Sequence, residues 1–269
     1  MSQGRFTDML KTAAMQARIG EAIYEGRAAV RDLAKYCNAS HVFVESAYVR
    51  GAVFGFFDHC HIVICGSDDW HDVVQNLTAE IDSRDFHPMH AGFRQSSDLF
   101  YSSLMRTGAR CLWVNRKLYI GGHSCGGAIA QALSSDALAP EIRPSEVYSF
   151  GSPRVFSPQL AARYSADGVP MYRFVMPGDL VPHMPLRKFR RLFNGAGYAH
   201  AGIEMHLGDD GTIETDPAFT STTRVIQVAG SVCSLLARRP WRVVTELKRR
   251  HSMNRYSTAI NKAIARVDQ

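Results

Sequence analysis

The chain has 269 residues, 46% of them hydrophobic and 21% charged, with a formal net charge of +6. That balance allows a sizeable core, and one large domain over residues 1–269 is expected rather than two. The sequence has no low-complexity segment and no repeat of solenoid length. Its longest apolar-biased stretch, Val225 to Ala237, is interrupted by Gln227, Gly230, Ser231 and Ser234 and is too short to span a bilayer as a helix.

In chain order, the N-terminus MSQGRFTDMLKTAAMQARIGEAIYE carries charge throughout and lacks the continuous apolar run of a secretory signal. It reads instead as the start of an amphipathic helix over 6–36, within an N-terminal helical segment 1–36. From 41 to 66 the chain turns β-like, with HVFVESAYVRGAVFGFFD, a polar break, and HIVICG. Trp70, Val73, Val74, Leu77 and Ile81 then recur at helical spacing over 69–81, after Ser67, Asp68 and Asp69, which suit a helix N-terminus. That segment is read either as a lid with an apolar face or as a helix docked on the core. A helix is expected over 92–108, a strand over 117–122, and a helix through GGAIAQALSSDAL. Strands follow at 146–151 and 171–176, and a hairpin around Gly208–Gly211. A helical segment over 222–269 closes the chain, broken near Pro240. Strands alternating with helices predict an α/β fold, with a mostly parallel central sheet and helices on both faces.

The six cysteines, at 37, 60, 65, 111, 125 and 233, form no CxxC pair, and several lie in apolar runs. They read as reduced thiols acting as small hydrophobes, and with the N-terminus they predict a cytoplasmic protein, signal-independent export remaining compatible. Basic charge concentrates in LRKFRR at 186–191 and between Arg238 and Lys262, where eight Lys or Arg face one acid, Glu246. Solvated helix faces are the plain reading. Peripheral contact with an anionic membrane surface is the sharper one. No nucleic acid is expected, since the basic runs lack interleaved aromatics.

Residues 119–128 read YIGGHSCGGA. A strand, a glycine-rich turn and a helix follow one another, and Gly122-His123-Ser124-Cys125-Gly126 fits the G-x-S-x-G nucleophile elbow. The glycines permit a turn so tight that side chains on either side of the serine would collide. The hydroxyl stands exposed above the sheet edge, and the Cys125 N–H points from a helix N-terminus toward a developing oxyanion. No lysine stands at the P-loop position, and G-x-G-x-x-G spacing is absent.

A serine nucleophile needs a base and a carboxylate to orient it, and α/β-hydrolases place them in the order Ser, acid, His. Asp179 follows the strand MYRFV and a Pro-Gly turn, while Asp209 and Asp210 are explained by a hairpin tip. Of the downstream histidines, His183 is too close to Asp179 in sequence and His206 alternates along a strand. His200 and His251 both remain candidates on spacing alone. His90 reads as structural. His59 and His61, flanking Cys60, do not make a metal site without further ligands. No metal and no cofactor are expected.

VICGSDDWHDVVQNL, MHAGF, YIGGHSCGGAIAQAL, VYSFGSPRV, RFVMPGDLVPHMP, YAHAGIE and HSMNRYSTAI together resemble the class 3 (fungal-type) triacylglycerol lipases of the α/β-hydrolase superfamily. They occur in family order from about residue 20 to 262. The resemblance implies Ser124 as nucleophile, Asp179 as triad acid and His251, with Met253 and Tyr256, as triad base. Cys65-Gly66-Ser67 matches the family's Arg-Gly-Thr/Ser oxyanion loop, which makes Ser67 one oxyanion donor and Cys125 the other. Two positions depart from the pattern: Cys65 stands for the usual arginine, which implies a differently held oxyanion hole if that arginine braces the loop, and Cys125 stands for the usual leucine.

The leading expectation is therefore a serine hydrolase of lipid esters, a triacylglycerol lipase or carboxylesterase. A phospholipase acting at membranes, even as an exported effector, is the alternative, and a catalytically inactive hydrolase-fold scaffold comes third.

Overall fold

The computed structural model describes residues 1–47, 49–66, 81–82, 89–134, 139, 141–184, 197–216 and 240–268. Helix α1 (Gln3–Glu25) opens on Ser2, whose hydroxyl accepts the Arg5 N–H. The single helix expected over 6–36 is two, because Gly26 adopts φ 106° and α2 (Arg27–Tyr36) starts anew. A hydrogen-bonded antiparallel run follows, β1 (Ser40–Glu45), β2 (Arg50–Gly55) and β3 (His59–Cys65). A short ladder pairs β4 (Ile81–Asp82) with β5 (Met89–His90), which leads into α3 (Ala91–Arg106). Next come β6 (Lys117–His123), α4 (Cys125–Leu133), β7 (Glu146–Phe150), α5 (Pro158–Asp167) and β8 (Met171–Val175). The hairpin β9 (Ile203–Leu207) and β10 (Ile213–Thr215) forms as expected, and α6 (Pro240–Arg250) and α7 (Met253–Val267) end the chain. Two features escape a reading by periodicity. One is α5, started by the Ser157 cap and Pro158. The other is the break at His251-Ser252 between α6 and α7.

The main sheet has eight strands in the order β1-β2-β3-β6-β7-β8-β9-β10. Neighbours from β3 to β9 are parallel, and the strands at either margin are antiparallel. Both faces are covered, which is why the central strands are apolar on alternate residues of either face. In β3, Cys60, Ile62 and Ile64 face the core built with α3, α4 and α5, while Val63 and Cys65 face α1 and α2. In β7 and β8, Tyr148, Phe150, Tyr172 and Phe174 face the core built by α1 and α7. The first and last long helices thus lie together on one face. No disulfide joins two of the five described cysteines, and burial pushes the Cys60 thiol up to about 12. Among the described residues no helix is long and apolar enough to cross a membrane.

Candidate active site

The parallel strands β3, β6, β7 and β8 end at one edge of the sheet, where ligands of such sheets bind. β6 turns there directly into α4. Ser124 is the hinge, with φ 58° and ψ −132°, a conformation rare for a residue with a side chain. Its N–H donates to the Phe150 carbonyl at 3.0 Å, and its carbonyl accepts from Gly127 at 3.0 Å. The turn is pressed against β3: a Cβ on Gly122 would lie 2.3 Å from the Ile64 carbonyl oxygen, and one on Gly126 2.2 Å from it. No other residue type fits either position, so both glycines of the motif are accounted for by close approach. Contrary to the exposed hydroxyl expected from the sequence, the Ser124 Oγ is buried, with no hydrogen-bond partner among the described residues.

Asp179 follows β8, Met176 and the Pro177-Gly178 turn. Its carboxylate is buried and accepts three hydrogen bonds: Oδ1 from the Val181 N–H at 3.0 Å, Oδ2 from the Tyr256 hydroxyl at 2.7 Å and from His251 Nδ1 at 2.8 Å. Burial acts to raise its pKa. The charge and hydrogen bond of His251, with the Tyr256 and Val181 donors, outweigh that and hold the carboxyl below the ordinary carboxylate range. His251 sits at the break between α6 and α7, its N–H donating to the Leu247 carbonyl. Its ring stacks on that of His123, centroids 4.6 Å apart, and its Cε1 and Nδ1 atoms lie against Gly151, the residue after β7. That brings the imidazole to the flank of the elbow. Because Nδ1 donates to Asp179, Nε2 is the nitrogen that carries the lone pair, the state a general base requires.

The structure brings Ser124, Asp179 and His251 to one sheet edge and leaves His200 out. His200 Nε2 donates to the Pro182 carbonyl at 2.7 Å, and burial with Arg173 and Arg154 pushes its pKa well down. His183 lies in the short turn Val181–His183 after Asp179, and its carbonyl accepts from Arg154. His206 lies on β9 opposite Glu214. His90 is buried between Phe93 and Tyr198. His59 stacks on Phe56 and bonds Asp58, and His61 is buried. Asp209 and Asp210 are taken by Arg255, Arg266 and Thr212.

Cys125 opens α4, and a Cβ on Gly66 would lie 3.3 Å from its amide nitrogen. The loop leaving β3 therefore starts directly over the helix N-terminus, where an oxyanion would be held. Ser67 lies outside the described residues, as do 69–80, the basic cluster 186–191, Cys233 and 222–239. The Cys65 thiol is buried and donates to the Gly20 carbonyl of α1 at 3.4 Å, so this end of β3 is tied to α1. Three residues around the site carried no signal in the sequence: His123, the variable position of the elbow motif, Gly151, and Tyr24 on α1. Among the described residues no three His, Cys, Asp or Glu side chains converge to hold a metal ion.

A doubly covered, mostly parallel sheet with a strand–serine–helix elbow at its edge is the architecture of the α/β-hydrolase fold. The family model "Lipase (class 3)" matches residues 61–189, just under half of the chain and inclusive of the elbow and Asp179. It is 27% identical over 158 residues to a lipase of Rhizopus niveus, an alignment covering 55% of this chain and 38% of the relative. It is 32% identical over 120 residues to a lipase of Rhizomucor miehei, covering 43% of this chain and 31% of the relative. The chain thus matches well under half the length of either. In three dimensions it resembles the triacylglyceride lipase of Rhizomucor miehei with a TM-score of 0.63 at 21% identity, over 81% of this chain and 89% of that one. That likeness concerns the fold.

Proposed function

We propose that this protein hydrolyses carboxylic ester bonds of lipids through an acyl-enzyme on Ser124, as a triacylglycerol lipase or carboxylesterase. The observation that carries the reading is the buried Asp179–His251 hydrogen bond at the flank of the Ser124 elbow. His251 Nε2 takes the Ser124 proton as Oγ bonds to the ester carbonyl carbon. Asp179 keeps the imidazole in the required tautomer and stabilises its cation. The Cys125 amide and that of Ser67 hold the tetrahedral oxyanion, one such donor commonly contributing about 2.7–4 kcal/mol. His251 returns the proton to the departing alcohol, then activates the water that cleaves the acyl-enzyme.

The relatives named above are lipases, which favours lipid esters as the substrate class. A phospholipase at anionic membranes draws less support. Part of the basic charge that suggested it is engaged within the protein, Arg249 and Arg250 by Glu246 and Arg255 and Lys262 by Asp209. The test is hydrolysis of p-nitrophenyl esters of short to long acyl chains by wild type and Ser124→Ala. Ser124-dependent turnover is expected, with the chain-length optimum separating esterase from lipase. A folded wild type that cleaves neither these esters nor phospholipids would leave the scaffold reading.

A further inference from the structure

We propose that Tyr24 and His123 form a clamp that positions His251, which makes the N-terminal helix part of the catalytic apparatus. The inference rests on His251 being the base. His123 ends β6 immediately before Ser124, on the face covered by α1. Its Nδ1 lies 2.7 Å from the Tyr24 hydroxyl, and its Nε2 lies 2.7 Å from the His251 carbonyl oxygen. The two imidazole rings stack at 4.6 Å with 29° between their planes, and Tyr24 meets His123 edge-on at 5.6 Å.

The proton positions follow from the acceptors. A backbone carbonyl can only accept, so His123 Nε2 carries the hydrogen. Burial, with the charge of His251, pushes the His123 pKa down to about 3, so the ring is neutral at ordinary pH. Its Nδ1 is then a lone pair, and Tyr24 must be the donor. One tautomer of His123 is thereby fixed, and with it an anchor on the backbone of residue 251. Residue 251 is tied through its N–H to Leu247, through its Nδ1 to Asp179 and through its carbonyl to His123. The last of these leads on to α1 through Tyr24.

The stacked surface matters as well. When His251 takes the serine proton, it does so against a neutral ring rather than a second cation, which would oppose the charge. The same helix also reaches the far side of the site. Glu21, one turn before Tyr24, accepts from the Ser257 hydroxyl at 3.0 Å, next to Tyr256, the donor to Asp179. Tyr24 and His123 touch no reacting atom in this scheme. They are positioning residues.

The test compares full-length wild type, Ser124→Ala, Tyr24→Phe, His123→Leu and His123→Gln on p-nitrophenyl butyrate, with melting temperatures and the 15N histidine spectrum of each. His123→Gln keeps an N–H near the Nε2 position, and His123→Leu does not. Misplacing a reacting group by an ångström can cost about 100-fold, so a loss of that order in kcat is expected for His123→Leu and about 3- to 10-fold for Tyr24→Phe, KM changing little. His123→Gln should recover most of the loss. The wild-type spectrum should show His123 as the Nε2–H tautomer, displaced in Tyr24→Phe. Wild-type kcat in Tyr24→Phe, an Nδ1–H tautomer at His123, or a folded His123→Gln no better than His123→Leu would each overturn the clamp. Hydrolysis that survives in Ser124→Ala would overturn the serine mechanism instead, with the clamp's proton arrangement still decided by the spectrum.

Discussion

Gly151→Ala isolates how closely the acid and base are seated. Gly151 follows β7 with φ 61° and donates its N–H to the Phe174 carbonyl at 3.0 Å. A Cβ there would lie 2.9 Å from Asp179 Oδ2, 2.9 Å from His251 Cε1 and 3.0 Å from His251 Nδ1. Ordinary contacts of a methyl group begin near ~3.5 Å, so acid and base must each give way by about half an ångström or more. The left-handed backbone adds about 1–2 kcal/mol for a residue with a Cβ. For a chain of this size that corresponds to roughly 2–8 °C in Tm. The displaced pair should lower kcat by the order of 100-fold. Gly108→Ala is the control, since Gly108 has φ 69° and a Cβ there meets nothing within 4 Å. It should show the backbone cost and keep full activity. Ester hydrolysis and thermal melting of both variants separate the two effects. Wild-type kcat in a folded Gly151→Ala protein would refute the reasoning.

Tyr256→Phe removes a donor to the buried Asp179 carboxylate and leaves the Met176 N–H without its acceptor. Urea unfolding should show a loss of about 1.5–3 kcal/mol, the range for hydrogen bonds to charged groups. Asp179 is depressed in the folded state, so its contribution to stability is complete above the unfolded carboxylate pKa of about 3.9 and disappears as pH falls through the folded value. Asp179→Asn should therefore lose less stability than wild type on acidification through that window, as read by urea midpoints. The Asp209→Ala/Asp210→Ala double variant removes the carboxylates that hold Arg255 and Arg266. It should cosediment with phosphatidylserine vesicles more than wild type does, with the excess abolished by salt. Since both carboxylates are exposed, its stability should fall by only about 1 kcal/mol per pair or less.

The elbow was legible because its causes are local. Strand, glycines and helix adjoin in sequence, and close approach to Ile64 explains Gly122 and Gly126. Asp179 was legible for a similar reason, as the polar residue just past an apolar strand. His251 was not separable from His200 by spacing. Its place depends on α6 and α7 folding back across the sheet, a tertiary fact that only the family resemblance encoded. The Tyr24–His123 contact joins residues 99 apart and leaves no periodic trace. Gly151 reads as an ordinary strand terminator until the acid and base are seen on either side of its missing Cβ. The helix over 6–36 was divided by one residue, Gly26, because hydrophobic spacing continues across a break that only the backbone angle reveals.

The central claim is that Ser124 is a nucleophile activated by His251. A fluorophosphonate probe that labels activated serines, followed by peptide mapping, tests it without any assumption about the ester cleaved. Stoichiometric label is expected on the peptide containing Ser124, none in Ser124→Ala and strongly slowed labelling in His251→Ala. Absence of label on Ser124 in the folded wild type, or labelling equally fast in His251→Ala, would contradict it.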